Sequence, residues 1–316
     1  MNVPKHTLPL LFLPALLALA CQQSASDLGL SPSQALATLE VMEGFEIELV
    51  ASEPLLRDPV AMEIDEDGRV YVVEMPGYPL DLTRSGAIKL LEDSNGDGVW
   101  DRSQVFADGL TLPTGIMRWK NGVLVTDAPD VLFLADTNGD GRADVREVVL
   151  TGFALSNPQH NFNSPLYGLD NWIHLANENA ISSVSYKDLL GDQGTEIHFP
   201  GQPGSPRLPR NGGDRNIRFR PDTYQLEMRA DDSQFGHTFD PWGHHFTTSN
   251  ATHLWHEVIA ASYLNRKPEL WAADATQYIP AYGRPAEVFP LTDQPIHQLL
   301  TDVGVFTSAC GITWYQ

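Results

Sequence analysis

Apolar and polar positions alternate with a period of two along most of the chain. Phe45, Ile47 and Leu49 alternate with Glu46 and Glu48, which predicts a half-buried strand opening at Gly44. Short apolar runs broken by Asp, Asn and Gly turns follow. Segment 88–110, IKLLEDSNGDGVWDRSQVFADGL, recurs without a gap as 131–153, VLFLADTNGDGRADVREVVLTGF, at an offset of 43 residues. Asp93 falls on Asp136, Asp97 on Asp140, Asp101 on Asp144 and Gly109 on Gly152.

A second element separates the copies. Segments 59–74, 113–128 and 164–177 each read as apolar strand, turn, apolar strand, with weaker versions at 236–248 and 306–315. A unit of about 43 residues built from short strands has the length of a four-stranded propeller blade, whereas a helical repeat would need apolar spacings of three and four. The predicted fold is therefore an all-β propeller over 44–316, with a Gly/Pro-rich insertion at 191–214. Its fifth blade start is cut after one strand, so the propeller is expected to be incomplete at the C-terminus.

The first 43 residues read differently. An apolar run from Leu8 to Leu19 ends at Ala18-Leu19-Ala20-Cys21, the layout of a secretory leader. At about a dozen residues it is too short for a bilayer-spanning helix. Cys21 after Leu-Ala resembles a lipobox and is the expected lipidation site of an exported lipoprotein; an ordinary signal cleavage nearby is the alternative. The signal is assigned to 1–20, and a tether with a short helix capped by Ser31-Pro32 to 21–43. The expected location is the periplasmic face of a membrane, the outer one favoured, or the cell surface.

A formal charge of −21 argues against nucleic acid as a partner. The acidic residues cluster in loops with calcium-ligand spacing. Asp136, Asn138, Asp140, the Arg142 carbonyl, Asp144 and Glu147 stand at positions 1, 3, 5, 7, 9 and 12 of one loop. Asp93, Asn95, Asp97, the Val99 carbonyl and Asp101 repeat the pattern, with Gln104 at position 12. A metal-free Asx turn is the alternative, and either way the role is structural. Cys310, left without a partner once Cys21 is lipidated, is expected to be a buried thiol.

The stretch NPQHNFN places His160 in a polar loop leading into an inner strand, where an imidazole can accept a proton from an alcohol. A turn-capping histidine is the alternative. His237, His244, His245, His253 and His256 are scattered among aromatics and read as a polar lining rather than a metal site.

These segments, with GFEIELVASEPLLRDPVAMEIDEDGRVYVVEM, NPQHNFNSPLYGLD, QFGHTFDPWGHHFTTSN and SACGITWY, resemble the membrane-bound dehydrogenase N-terminal domain of planctomycete and verrucomicrobium type. That family is related to soluble glucose and sorbosone dehydrogenases. The resemblance implies six blades, structural Ca²⁺, pyrroloquinoline quinone (PQQ) and a sugar or alcohol substrate. His160, followed by Gly168-Leu169-Asp170, takes the place of the general base. His237, Thr238, Asn161 and Asn163 take the place of cofactor contacts, Thr238 standing where the family motif carries Arg. Since the chain has no Cys-x-x-Cys-His, a cytochrome c acceptor would be a separate partner. Two other functions fit a propeller: a calcium-dependent lactonase-like hydrolase, using Asn163, Asn177 and Asn250, and a non-catalytic glycan- or protein-binding module.

Overall fold

The computed structural model describes residues 29–181, 187–264, 266, 274–281 and 308–315. The leader, Cys21 and most of the tether lie outside the described residues. Two compact units are present, residues 1–52 and 53–316.

In the first unit, helix α1 spans Pro32–Leu36. Ser31 caps it, as the sequence predicts, and forms a reciprocal box with Gln34. It buries no residue and ends after five. Residues 45–50 form no ladder, and Phe45, Ile47 and Leu49 are exposed. Alternation alone does not make a strand; an edge to pair with is also needed.

The second unit is a β-propeller with four described four-stranded antiparallel blades. Blade 1 comprises β1 (Pro59–Ile64), β2 (Val70–Glu74), β3 (Gly86–Glu92) and β4 (Arg102–Leu110). Blade 2 comprises β5 (Gly115–Trp119), β6 (Gly122–Asp127), β7 (Asp130–Ala135) and β8 (Val145–Thr151). Blade 3 comprises β9 (Asn163–Tyr167), β10 (Ile173–Ala176), β13 (Ile217–Arg220) and β14 (Gln225–Met228). Its insertion carries a ribbon, β11 (Glu196–Ile197) with β12 (Leu208–Arg210). Blade 4 comprises β15 (His237–Phe239), β16 (His245–Ser249), β17 (Thr252–Glu257) and β18 (Thr276–Tyr278).

Successive blades meet at their first strands, β1 against β5 and β5 against β9. The entries to these strands are bonded blade to blade. Thr114 Oγ1 donates to the Phe162 carbonyl at 2.6 Å, and Asn163 Nδ2 to the Gln234 carbonyl at 2.7 Å. Segment 308–315 continues the series beside β15 without forming a strand: Gly311 N donates to the Phe235 carbonyl and Trp314 N to Thr238 Oγ1. Gly236 has φ +93°, and a Cβ there would lie 2.9 Å from Gly311 N, so only glycine fits. Cys310 is exposed, not buried as its small neighbours suggested.

The period-two pattern explains the packing. Val123 and Val125 of β6 face blade 1, joining Tyr71, Val73, Ile88, Leu90 and Phe106. Leu124, between them, faces blade 3 and joins Phe153, Phe162, Ile173, Leu175 and Phe219. With both faces covered, β6 reads as an unbroken buried run.

Candidate functional site

Strand order gives the propeller two chemically distinct ends. The first-to-second and third-to-fourth strand turns share one end, and both Asp-rich loops lie there. The second-to-third turns and the crossings between blades share the other, which receives His160 and the insertion.

At the first end each loop is tied to itself. Asp136 accepts the amides of Asn138, Gly139 and Gly141, and Asp144 accepts the amide and hydroxyl of Thr137. Asp93 and Asp101 repeat these bonds toward Gly96, Gly98 and Ser94. Asn138 and Asp140 each accept the amide two residues on, as do Asn95 and Asp97. Glu147 is not a loop residue. It sits in β8 opposite Phe133, so the ladder removes the expected twelfth-position ligand, and Asp144 closes the turn. Asp136, Asp140 and Asp144 do not bring three ligand atoms within 4.8 Å of one another; among the described residues only Asp231, His245 and Glu257 do.

That trio does not suit a metal ion either. The Arg229 guanidinium pairs with Glu257 and lies 3.5 Å from Asp231, so it already supplies the cation between the carboxylates.

At the second end, side chains reach far along the sequence. Asn157 starts an Asx turn by accepting from Gln159 N, and its own amide donates to the Ile181 carbonyl. Asn211 in the insertion accepts from Ala154 N and donates to the Glu178 carbonyl. These ties set the His160 loop against the start of the insertion, where Nδ1 of His160 lies 2.5 Å from Oε1 of Glu178. With Nδ1–H given to the carboxylate, Nε2 becomes the basic nitrogen. Sequence reasoning missed Glu178, because nothing in the spacing connects it to a histidine 18 residues upstream.

Glu178 also lines a cavity of about 150 Å³, with Asp232, Ser233, Gln234, Thr247, Thr248, Ser249, Trp255 and Thr276. Burial, reinforced by Glu178 and Asp231, pushes the Asp232 carboxyl above its ordinary range. Hydroxyls, amides and carboxylates beside one indole suit a polyhydroxylated ligand.

The predicted cofactor contacts are elsewhere. His237 is buried with both ring nitrogens bonded, and Thr238 is buried with its hydroxyl accepting from Trp314 N. Asn163 gives its amide to the Asn161 and Gln234 carbonyls and accepts from Gly236 N, holding blade 3 to blade 4. Asn161, also buried, accepts from Ser156 N. An anionic quinone does not fit these residues, nor a cavity lined by two carboxylates and no Lys or Arg. Asn177 is likewise structural, donating to the Asn211 and Arg215 carbonyls.

The family model described as Domain of unknown function (DUF7133) matches residues 31–316. No curated protein matches the chain. Among solved structures, the iodide and calcium structures of Trichoderma reesei Carbohydrate-Active Enzymes Family AA12 are 16% and 15% identical, each with a TM-score of 0.40. Both matches cover 68% of this chain and 49% of that one, so the chain spans about half their length. The PQQ-bound aldose sugar dehydrogenase from Streptomyces coelicolor is 12% identical, with a TM-score of 0.35, over 68% of this chain and 62% of that one. The match of the family model over nearly the whole chain places this protein in the DUF7133 family.

Proposed function

We propose that the chain is the hydroxyl-binding, proton-accepting part of a dehydrogenase-type propeller, exported and lipid-anchored at Cys21, that acts on a sugar or alcohol. One observation carries the reading: His160 is held by Glu178, and Glu178 lines a cavity of hydroxyls and carboxylates. Oxidation of a carbinol requires a base for the hydroxyl proton and a two-electron acceptor for the hydride. This chain supplies the base, and the acceptor is a separate redox partner brought to the cavity. Nε2 of His160 is that base, and Glu178 fixes the tautomer and stabilises the imidazolium that forms. The residues the resemblance assigned to PQQ are used in the fold, so no step is routed through that cofactor.

The test is a panel of sugars and alcohols, with binding followed by calorimetry and turnover by dye reduction, with and without added PQQ and Ca²⁺. Binding that survives His160→Ala while turnover falls at least a hundredfold is the expected result. Absence of binding by the intact chain, or full turnover by His160→Ala, would sink the reading. Ser, Thr and Gln side chains beside Trp255 equally suit a glycan-binding module. Binding without turnover by any variant selects that second reading.

A further inference from the structure

Between blades 3 and 4 three side chains form a buried row ending on a carbonyl. Asp231 Oδ2 lies 2.6 Å from Nδ1 of His245, whose Nε2 lies 2.9 Å from Nδ1 of His237. Nε2 of His237 lies 2.8 Å from the Ser164 carbonyl. The side chains of Asp231 and His245 are 0% and 1% exposed, so water cannot complete a missing bond.

The row can be counted for hydrogens. The Ser164 carbonyl only accepts, so Nε2 of His237 carries one. An ionised Asp231 only accepts, so Nδ1 of His245 carries another. The contact between the rings needs one more, and two neutral imidazoles supply only two in total. We infer that the Asp231–His245–His237 row holds one proton beyond the neutral-imidazole count, with His245 as a buried imidazolium.

The surrounding charges agree. Arg229 and Glu257 pair beside the row, and Glu257 Oε2 is 4.0 Å from Nδ1 of His245. One guanidinium against two ionised carboxylates leaves a net negative charge, which the extra proton cancels. Burial and Asp231 push the Glu257 carboxyl up, and protonating it would balance the charge, but it would leave the row a hydrogen short. Protonating Asp231 would fill the row, yet the Arg229 guanidinium 3.5 Å away favours the ionised carboxylate despite its burial. The remaining neighbours are Phe239, stacked on His245 at 4.7 Å, and His174, whose ring lies 6.2 Å away and bridges Asp170 to Arg229. Burial and Arg229 oppose a charge on either ring; the hydrogen count and the second carboxylate outweigh them.

The row joins β9 of blade 3 to β15 and β16 of blade 4, and Asp231 directly precedes the cavity residues Asp232 and Ser233. The proton therefore locks the wall of the cavity, whatever the cavity binds.

Ring-¹⁵N-labelled histidine NMR of the intact chain tests this. At pH 8, where exposed imidazoles are neutral, one ring is expected to show two protonated nitrogens. Coupling across its N–H···N bond to a second ring assigns the pair without mutation. In Asp231→Asn the amide can donate to Nδ1, so that ring should become neutral while the protein stays folded. Two neutral rings in the coupled pair of the wild type, or an imidazolium that persists in folded Asp231→Asn, would overturn the inference. If the variant does not fold, the wild-type spectrum decides alone.

Discussion

The two faces of blade 3 are packed in opposite ways. Toward blade 2, Ile173 and Leu175 of β10 meet Leu124, Phe153, Phe162 and Phe219, and the Phe153 and Phe162 rings stack at 3.7 Å. Toward blade 4, the alternate position of the same strand is His174, held by Asp170 and Arg229. Leu124 occupies the matching place in blade 2. Where blade 2 presents Leu124 to an apolar seam, blade 3 presents His174 to an ionic one. The apolar seam tolerates imprecision, because dispersion and burial lack direction. The ionic seam holds only while every partner is present.

That contrast can be tested by removing one group from each seam. Phe153→Ala is expected to cost about 3–5 kcal/mol in urea unfolding, equally at pH 7 and pH 5. Arg229→Met is expected to cost about 3–5 kcal/mol at neutral pH, because it strands the buried Asp231 and Glu257. A loss below about 1 kcal/mol for Arg229→Met would mean that water reaches the seam.

Acid sharpens the comparison. Burial, aided by Arg229, pulls His174 down to about 4. An unfolded histidine titrates near 6.5, so between those values the unfolded chain binds a proton that the folded one refuses. Stability should fall on acidification from about pH 6.5 to 4 and then level off for this group, by roughly 3 kcal/mol in all. His174→Gln should flatten that slope, and an unchanged slope would clear His174 of responsibility. The smallest effect is expected at the Asp-rich loops. Asp136→Ala should cost about 1–2 kcal/mol even in chelator, because its three amide bonds need no cation. A loss seen only with Ca²⁺ present would assign the loop's stability to the ion.

What the sequence reveals follows the same division. The 43-residue repeat, the strand pairs 59–74 and 113–128 and the turns at Asp93 and Asp136 are all legible, because each rests on bonds between near neighbours in the chain. The partner of His160 is not, since bonds distant in sequence, such as those of Asn211 to Ala154 and Glu178, bring that loop and the insertion together. His237 and Thr238 look like cofactor contacts in a motif alignment. In the folded chain the blade seam uses them first. Glu147 misleads for a simpler reason: a linear ligand spacing does not know where the ladder resumes.

The bonds linking one blade entry to the next have a consequence for how such a chain can change over generations. Thr114 and Asn163 grip main-chain carbonyls of the following entry, not its side chains. A neighbouring module can therefore drift in identity without loosening the grip. The copies at 88 and 131 still read alike while those from residue 164 onward have wandered, yet the radial order survives. The grip of one entry on the next is thus insulated from side-chain change there, wherever the backbone keeps its course.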